Sequence, residues 1–412
     1  MSSPPSSPVL IIGAGIVGLT LAQALKKASI PFVVYERDAG PNTRSDGWGI
    51  TVHWALPALE ACLLPTLFSG LRDIQVDPQQ GIHDTGRFVF LDLATAEPAY
   101  VIPPSRRLRL DRRKLRRLLL TDIDVQWGKA LEDFSSADES VTAHFEDGTM
   151  ATGSLLVGAD GSNSRTRRRL FQSLGNAAAA NLYQLPVRFM GVTVRLTTDQ
   201  VRPLRAIDPL LFQGCHPDTG AYLWYSILST PEVNGSAGSE TGEFYEGQLN
   251  LSWMARGPDD EVPPTQPARL NKMRELAQPF EPRLRAAVEN IPKDAEVLEV
   301  LLQDWPTQPW PNHGGTVTLA SDAAHAMTMY RGEAFNHGIT DAASLAEHLV
   351  TAWASQDLLR RLRATVDVYE KDLVQRTQSA VLLSRQACLD AHDFKTLTAE
   401  SPLVSKRAIV KH

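Results

Sequence analysis

The segment GAGIVG places Gly13, Gly15 and Gly18 directly after the apolar run VLII and before an amphipathic stretch that ends in Lys26 and Lys27. Glycines at that spacing do their work through the backbone. The first permits a tight turn, the second lets a pyrophosphate approach main-chain N–H groups, and the third lets a helix close on a strand. About twenty residues on, Glu36 ends the run PFVVYE, where a carboxylate can accept from a ribose hydroxyl. These residues call for the ADP half of a dinucleotide. NAD and FAD both carry one, and this turn does not choose between them. Two more apolar runs end in aspartate: SLLVGADGS at Asp160 and TVTLASDAAH at Asp322. No Ser/His/Asp arrangement stands near them, and GADGS is not the G-x-S-x-G elbow of hydrolases.

Such residues need elements that hold them. Residues 8–37 read as strand, glycine turn, amphipathic helix, strand, each strand continuous and apolar as in a parallel sheet covered on both faces. A helix is expected over 51–68, short strands and turns to about 104, a helix from Asp111 to about Leu120, and a meander over 123–157 turning at EDGT. From about 182 to 300 the strand-like runs PVRFMGVTVRL, GAYLWYSIL and QLNLSWMA alternate with Gly-, Pro- and Ser-rich loops, which suits an antiparallel sheet on a separate lobe. Residues 356–392 are helical in pattern. The expected fold class is α/β: a Rossmann-like cofactor domain interleaved with an antiparallel-sheet substrate domain, with C-terminal helices. The cofactor domain takes 8–75, 105–181 and 301–355, the substrate domain 76–104 and 182–300, and the helical segment 356–412.

The chain of 412 residues is 43% hydrophobic and 21% charged with net charge −6, so its bulk calls for neither nucleic acid nor an anionic membrane. The basic stretch RRLRLDRRKLRR lacks the interleaved aromatics of a nucleic-acid surface and reads as a largely solvated helix face. Three scattered cysteines, Cys62, Cys215 and Cys388, make neither a disulfide framework nor a metal site. MSSPPSSP lacks a basic leader, and no apolar run has membrane-spanning length. A soluble, cytoplasmic protein is expected, with no membrane partner; its oligomeric state is not legible.

A bare NAD fold needs neither downstream aspartate, whereas a longer ligand lying across the protein needs remote groups for its far half. In their order, the three motifs resemble those of the single-component FAD-dependent aromatic hydroxylases, the para-hydroxybenzoate and salicylate hydroxylase type, over nearly the whole chain. The resemblance implies non-covalent FAD, with NADPH or NADH as a transient reductant because no second Rossmann motif is present to bind it. It implies that O2, through a flavin C4a-hydroperoxide, hydroxylates or epoxidises a mid-sized aromatic or unsaturated small molecule.

Carried onto this sequence, the resemblance assigns cofactor contacts to Gly13, Gly15, Gly18, Glu36 and Arg37, and to Arg44 and Gly49 in the flavin-flanking loop TRSDGWGITVHW. It puts Arg112 at the pyrophosphate, Asp160 beside FAD and the nicotinamide, and Asp322 at a ribityl hydroxyl. Gly332, Ala334, Phe335 and Asn336 then open a helix aimed at the flavin ring. The chain departs from the pattern at Ser321, usually Gly; at Ala326 and Met329, often Pro; and at Ala334, which closes the usual Gly-x-Gly. On the substrate lobe Arg188, Arg195, Tyr222 and Tyr225 are candidates to bind and deprotonate a phenol, with cross-strand packing as the plain alternative. His325 reads as structural rather than as a base, and Trp48 and His53 as packing or pocket residues. A flavin dehydrogenase or oxidase, a flavin-scaffolded isomerase or cyclase, and a nucleotide-binding protein without catalysis stay open.

Overall fold

A computed structural model describes residues 7–43, 48–137, 140–240, 242–355 and 357–407. Arg44 therefore lies outside the described residues.

The nucleotide turn sits in a five-stranded parallel sheet. Its order across the sheet is Val317–Leu319, Leu155–Gly158, Val9–Ile12, Phe32–Glu36 and Val125–Trp127. Val9, Leu10, Ile11, Leu155, Leu156 and Val157 are wholly buried, which explains why these strands read as unbroken apolar runs rather than alternating ones. The helix Ile16–Lys27 covers the sheet and packs on the long helix Ala334–Trp353. A consequence follows for chemistry. Gly13, Glu36, Asp160 and Asp322 stand at or just beyond the carboxyl ends of four neighbouring strands, the edge where open α/β sheets bind ligands.

The second lobe is a seven-stranded sheet in the order Leu298–Glu299, Val187–Leu196, Tyr245–Met254, Tyr222–Ser229, Leu211–Cys215, Phe88–Asp92 and Pro98–Ile102. All its pairs are antiparallel except Leu211–Cys215 with Phe88–Asp92, so the sheet is mixed rather than purely antiparallel. Strand alternation gives it two faces. Leu223, Tyr225, Ile227, Leu249 and Leu251 pack with Leu204, Leu270, Met273 and Leu284 from the outer helices. Tyr222, Trp224, Gln248 and Asn250 face the other way, into the cavity shared with the parallel-sheet lobe.

The strand Gly49–Val52 pairs with Leu108–Asp111, which runs straight into the helix Arg112–Leu119 capped by the Asp111 carboxylate. The helix Leu358–Asp390 ends in a segment whose Leu397, Leu403 and Val404 are buried against Phe90, Tyr222 and Tyr330. Among the described residues no helix is long and apolar enough to cross a membrane.

Candidate active site

Two cavities meet at Ile50, Ala334 and Phe335, which line both. The larger, about 460 Å³, follows the strand ends of the parallel sheet. Gly13 adopts φ +115°, and a Cβ there would run into the Ala159 carbonyl, so only glycine lets the two strand-end loops touch. Gly15, Glu36, Arg37, Arg112, Asp160 and Asp322 also line this cavity.

Their carboxylates are not equally available. One Glu36 oxygen accepts from Ala14 N at 2.8 Å and the other from Asp38 N at 3.1 Å, which fixes the turn. Asp160 is spent on the next helix: it accepts from Ser164 Oγ (2.5 Å), Arg165 N (2.8 Å) and Thr166 N (3.1 Å). Asp322 is different. Its side chain has no hydrogen-bond partner among the described residues, and burial raises its pKa although His325 and Arg112 favour the charge. An unpartnered carboxylate in a polar cavity is an acceptor waiting for a ligand hydroxyl.

The turn before Asp322 is strained. Ser321 has φ 63° and ψ −148°, a region essentially reserved for glycine. Asp341 holds it there, accepting from Ser321 N at 2.8 Å, from His325 Nε2 at 2.6 Å and from Arg376 Nη2 at 2.6 Å. Burial alone would raise the Asp341 pKa, but His325 and Arg376 more than offset it and hold the group below the usual carboxylate range. His325 is thus a buried hydrogen-bond partner of Asp341 inside the fold.

The smaller cavity, about 230 Å³, lies between the strand Gly49–Val52, the inward face of the seven-stranded sheet and the loop 328–332. Its walls are aromatic and arginine-rich: Trp48, Phe88, Phe189, Tyr222, Trp224 and Tyr330, with Arg107, Arg109, Arg331 and Arg407. His53 sits in the wall, pulled down to about 4 first by burial and then by Arg407, Arg107 and Arg331, so it is neutral near pH 7. Below the aromatic wall, Tyr330 donates to Ser252 Oγ at 2.8 Å. Ser252 also meets His392 Nε2 at 2.9 Å, while His392 Nδ1 lies 2.8 Å from the Cys388 carbonyl. That carbonyl assigns the ring proton to Nδ1 and leaves Nε2 to accept from Ser252, consistent with a pKa lowered to about 4 by burial.

Several sequence-derived candidates stand elsewhere. Arg188 pairs with Glu261 at 2.6 Å and lines neither cavity. Arg195 is exposed, its guanidinium 4.5 Å over the Phe244 ring. Tyr225 faces the opposite side of its strand from the cavity, 5.1 Å from Phe212. Only Tyr222 of those four reaches the cavity, and it donates to Gln213 Oε1 at 2.7 Å, with burial raising its pKa well above the usual phenol value. Gly18 closes the helix against the Gly13 carbonyl, outside the lining. Asn336 is buried as a clamp, accepting from His53 N at 3.0 Å and donating to Thr51 O at 3.1 Å. Gly49 and Gly332 line the smaller cavity rather than the larger.

Sequence reasoning missed Arg107 and Arg109 by reading their stretch as a solvated helix face. The legible signal was alternation: Arg107, Arg109 and Asp111 share one parity ahead of the Asp111 cap.

A strand–turn–helix that feeds a long cavity, with a second lobe closing a smaller one beside it, is the architecture of a two-domain dinucleotide-dependent oxidoreductase. A family model described as an NAD(P)-binding Rossmann-like domain matches residues 11–57. The chain is 54% identical over 355 residues to the FAD-dependent monooxygenase dbaB of Emericella nidulans, covering 85% of this chain and 88% of that protein. It is 37% identical to the FAD-dependent monooxygenase cctM of Talaromyces islandicus, covering 96% and 95%. Two solved structures share the fold: a salicylate hydroxylase substrate complex, at TM-score 0.73 and 19% identity over 97% of this chain and 92% of that one, and 2,6-dihydroxypyridine-3-hydroxylase from Arthrobacter nicotinovorans, at TM-score 0.73 and 19% identity over 99% and 98%. The chain belongs to the FAD-dependent monooxygenases.

Proposed function

We propose that this chain uses NADPH or NADH and O2 to insert one oxygen atom into a mid-sized aromatic or unsaturated small molecule by hydroxylation or epoxidation. The observation that carries the reading is the unpartnered Asp322 carboxylate in a cavity that meets a second, aromatic-walled one at Ile50, Ala334 and Phe335. Gly13, Gly15 and Arg37 would hold an ADP-type ligand in the larger cavity. Arg112 would neutralise a pyrophosphate charge, and Asp322 would accept from a sugar-alcohol hydroxyl. That ligand is FAD, which supplies electron transfer and reaction with dioxygen. The side chains do the rest. Ala334 and Phe335 open a helix whose N-terminal N–H groups favour negative charge at the junction of the cavities. Trp48, Phe189, Tyr222 and Trp224 orient a flat substrate against that junction and keep water from it.

Purified protein should carry FAD and consume NADPH or NADH faster once a substrate is present, with one atom from labelled dioxygen entering the product. Asp322→Ala should raise the FAD dissociation constant about 10–100-fold, the loss of a charged acceptor costing roughly 1.5–3 kcal/mol. If labelled oxygen never enters a product, the dehydrogenase, oxidase or isomerase reading takes the place of this one.

A further inference from the structure

We propose that Arg109 anchors a negatively charged oxygen, a phenolate or a carboxylate, on the aromatic skeleton bound in the smaller cavity. The proposal rests on the reading above and specifies the charge of its substrate.

Arg109 lies on the strand Leu108–Asp111, in register with Thr51 across the antiparallel pair. Its side chain is only 5% exposed and turns into the cavity, the guanidinium carbon 5.1 Å over the Trp224 ring. On its other side lies Gly49, where a Cβ would stand only 2.8–2.9 Å from the guanidinium atoms. The absence of a side chain at 49 thus makes the slot that holds the charge.

A charge taken out of water needs a counter-charge or a full set of acceptors. Arg109 has neither. Nη1 donates to Thr51 Oγ1 and Nη2 to Ser226 Oγ, each at 2.9 Å, both to neutral hydroxyls. Nε finds no acceptor among the described residues. Of the five N–H bonds of a guanidinium, two are used. Burial, and after it the Arg107 charge, pulls the group down to about 9, which still leaves it cationic near neutral pH. The neighbouring arginines do not relieve it. Arg107 is matched by Asp84 at 2.7 Å and Arg331 by Glu333 at 2.6 Å. Arg407 spends its donors on backbone carbonyls of Arg331, Leu403, Pro402 and Ser405.

Among the described residues Arg109 is therefore the cavity cation that no carboxylate answers, and it keeps unused donors. A neutral ring would leave that charge uncompensated. An ionised oxygen would take the unused N–H bonds, as guanidinium groups do with carboxylates and other oxyanions. The ring bearing it would lie among Trp224, Phe189 and Tyr222.

The test is binding to the FAD-loaded protein without reductant, read from the flavin absorbance or by calorimetry. The probes are neutral and ionised twins: 2-naphthoate against 2-naphthamide, and 4-nitrophenol at mildly alkaline pH against 4-nitroanisole. At least one anion should bind about tenfold more tightly than its neutral twin, and the pair in which it does so separates carboxylate from phenolate. Arg109→Gln should bring that ratio near unity while FAD stays bound, and Arg109→Lys, which keeps the charge, should restore part of it. Equal binding of twins in the parent overturns the proposal whatever the variants do. So does the absence of binding by every anion, or an undiminished ratio in Arg109→Gln. Because nothing turns over, failure of oxygen insertion leaves this result readable, and failure here leaves oxygen insertion standing.

Discussion

Ser321 occupies a backbone conformation that only glycine adopts without cost, on the turn that presents Asp322 to the larger cavity. Its side chain packs over Gly338, where even a Cβ would come within 3.1 Å of Ser321 Oγ. A non-glycine residue in this region stores on the order of 1–3 kcal/mol. Ser321→Gly should release part of that, so the FAD-free variant should unfold at higher denaturant concentration than the parent, by roughly 1 kcal/mol. A variant no more stable than the parent would place the strain elsewhere. Asp322 and Asp160, both strand-end aspartates, divide the labour beside it. Asp160 secures the helix Arg165–Ser173 through Ser164 and Arg165, whereas the Asp322 side chain has no hydrogen-bond partner among the described residues.

Between elements, the decisive connection is Asp341 on the helix Ala334–Trp353. It ties the Asp322 turn, through Ser321 N and His325, to Arg376 on the helix Leu358–Asp390. Arg376 reaches back to His337 Nδ1 at 3.0 Å, so two helices and a strand end share one buried network. Removing one member strands the others in low dielectric. Asp341→Asn should cost on the order of 3–5 kcal/mol in stability and weaken FAD retention together, because the cofactor turn loses its support. Denaturant unfolding followed by both tryptophan and flavin fluorescence would report the two losses. A variant that loses stability but keeps FAD affinity would break the link between network and turn.

For the whole molecule, the long C-terminal helix is fastened to the parallel sheet by Glu370. It accepts from Trp310 Nε1 at 2.9 Å, Thr318 Oγ1 at 2.7 Å and Asn312 Nδ2 at 2.9 Å. Burial pushes its pKa from 4.5 up to about 7, and those three donors offset the shift only in part. The sign follows from linkage. The folded state holds this proton more tightly than the unfolded chain, so the group's contribution is fully present below about pH 4.5 and lost as pH rises to about 7. Glu370→Gln should remove that slope, on the order of 1–3 kcal/mol between about pH 5 and 8. Unfolding free energies at both pH values, parent against variant, check it; an unchanged difference would assign the titration to another group.

How much of this was legible beforehand depended on the range of the interaction. The glycine turn, the apolar strands and the aspartates that end them are local. A turn's backbone needs and a buried strand's continuous apolar run are written in consecutive residues, so the sequence by itself determined the parallel sheet and the residues that line the cavity at its strand ends, from Gly13 to Asp322. The smaller cavity is not local. Alternation in GAYLWYSIL separates Tyr222 and Trp224 from Tyr225, but which set meets the other lobe is decided by helices some fifty residues downstream, whose Leu270 and Met273 claim the Tyr225 face. Arg109 became a cavity cation only when Gly49, Thr51, Trp224 and Ser226 closed around it. Arg188, equally plausible by type and strand position, met Glu261 instead. Residue type makes a charge available; only tertiary packing decides whether it is matched within the fold or left for a ligand, because that depends on which distant segment excludes water from it.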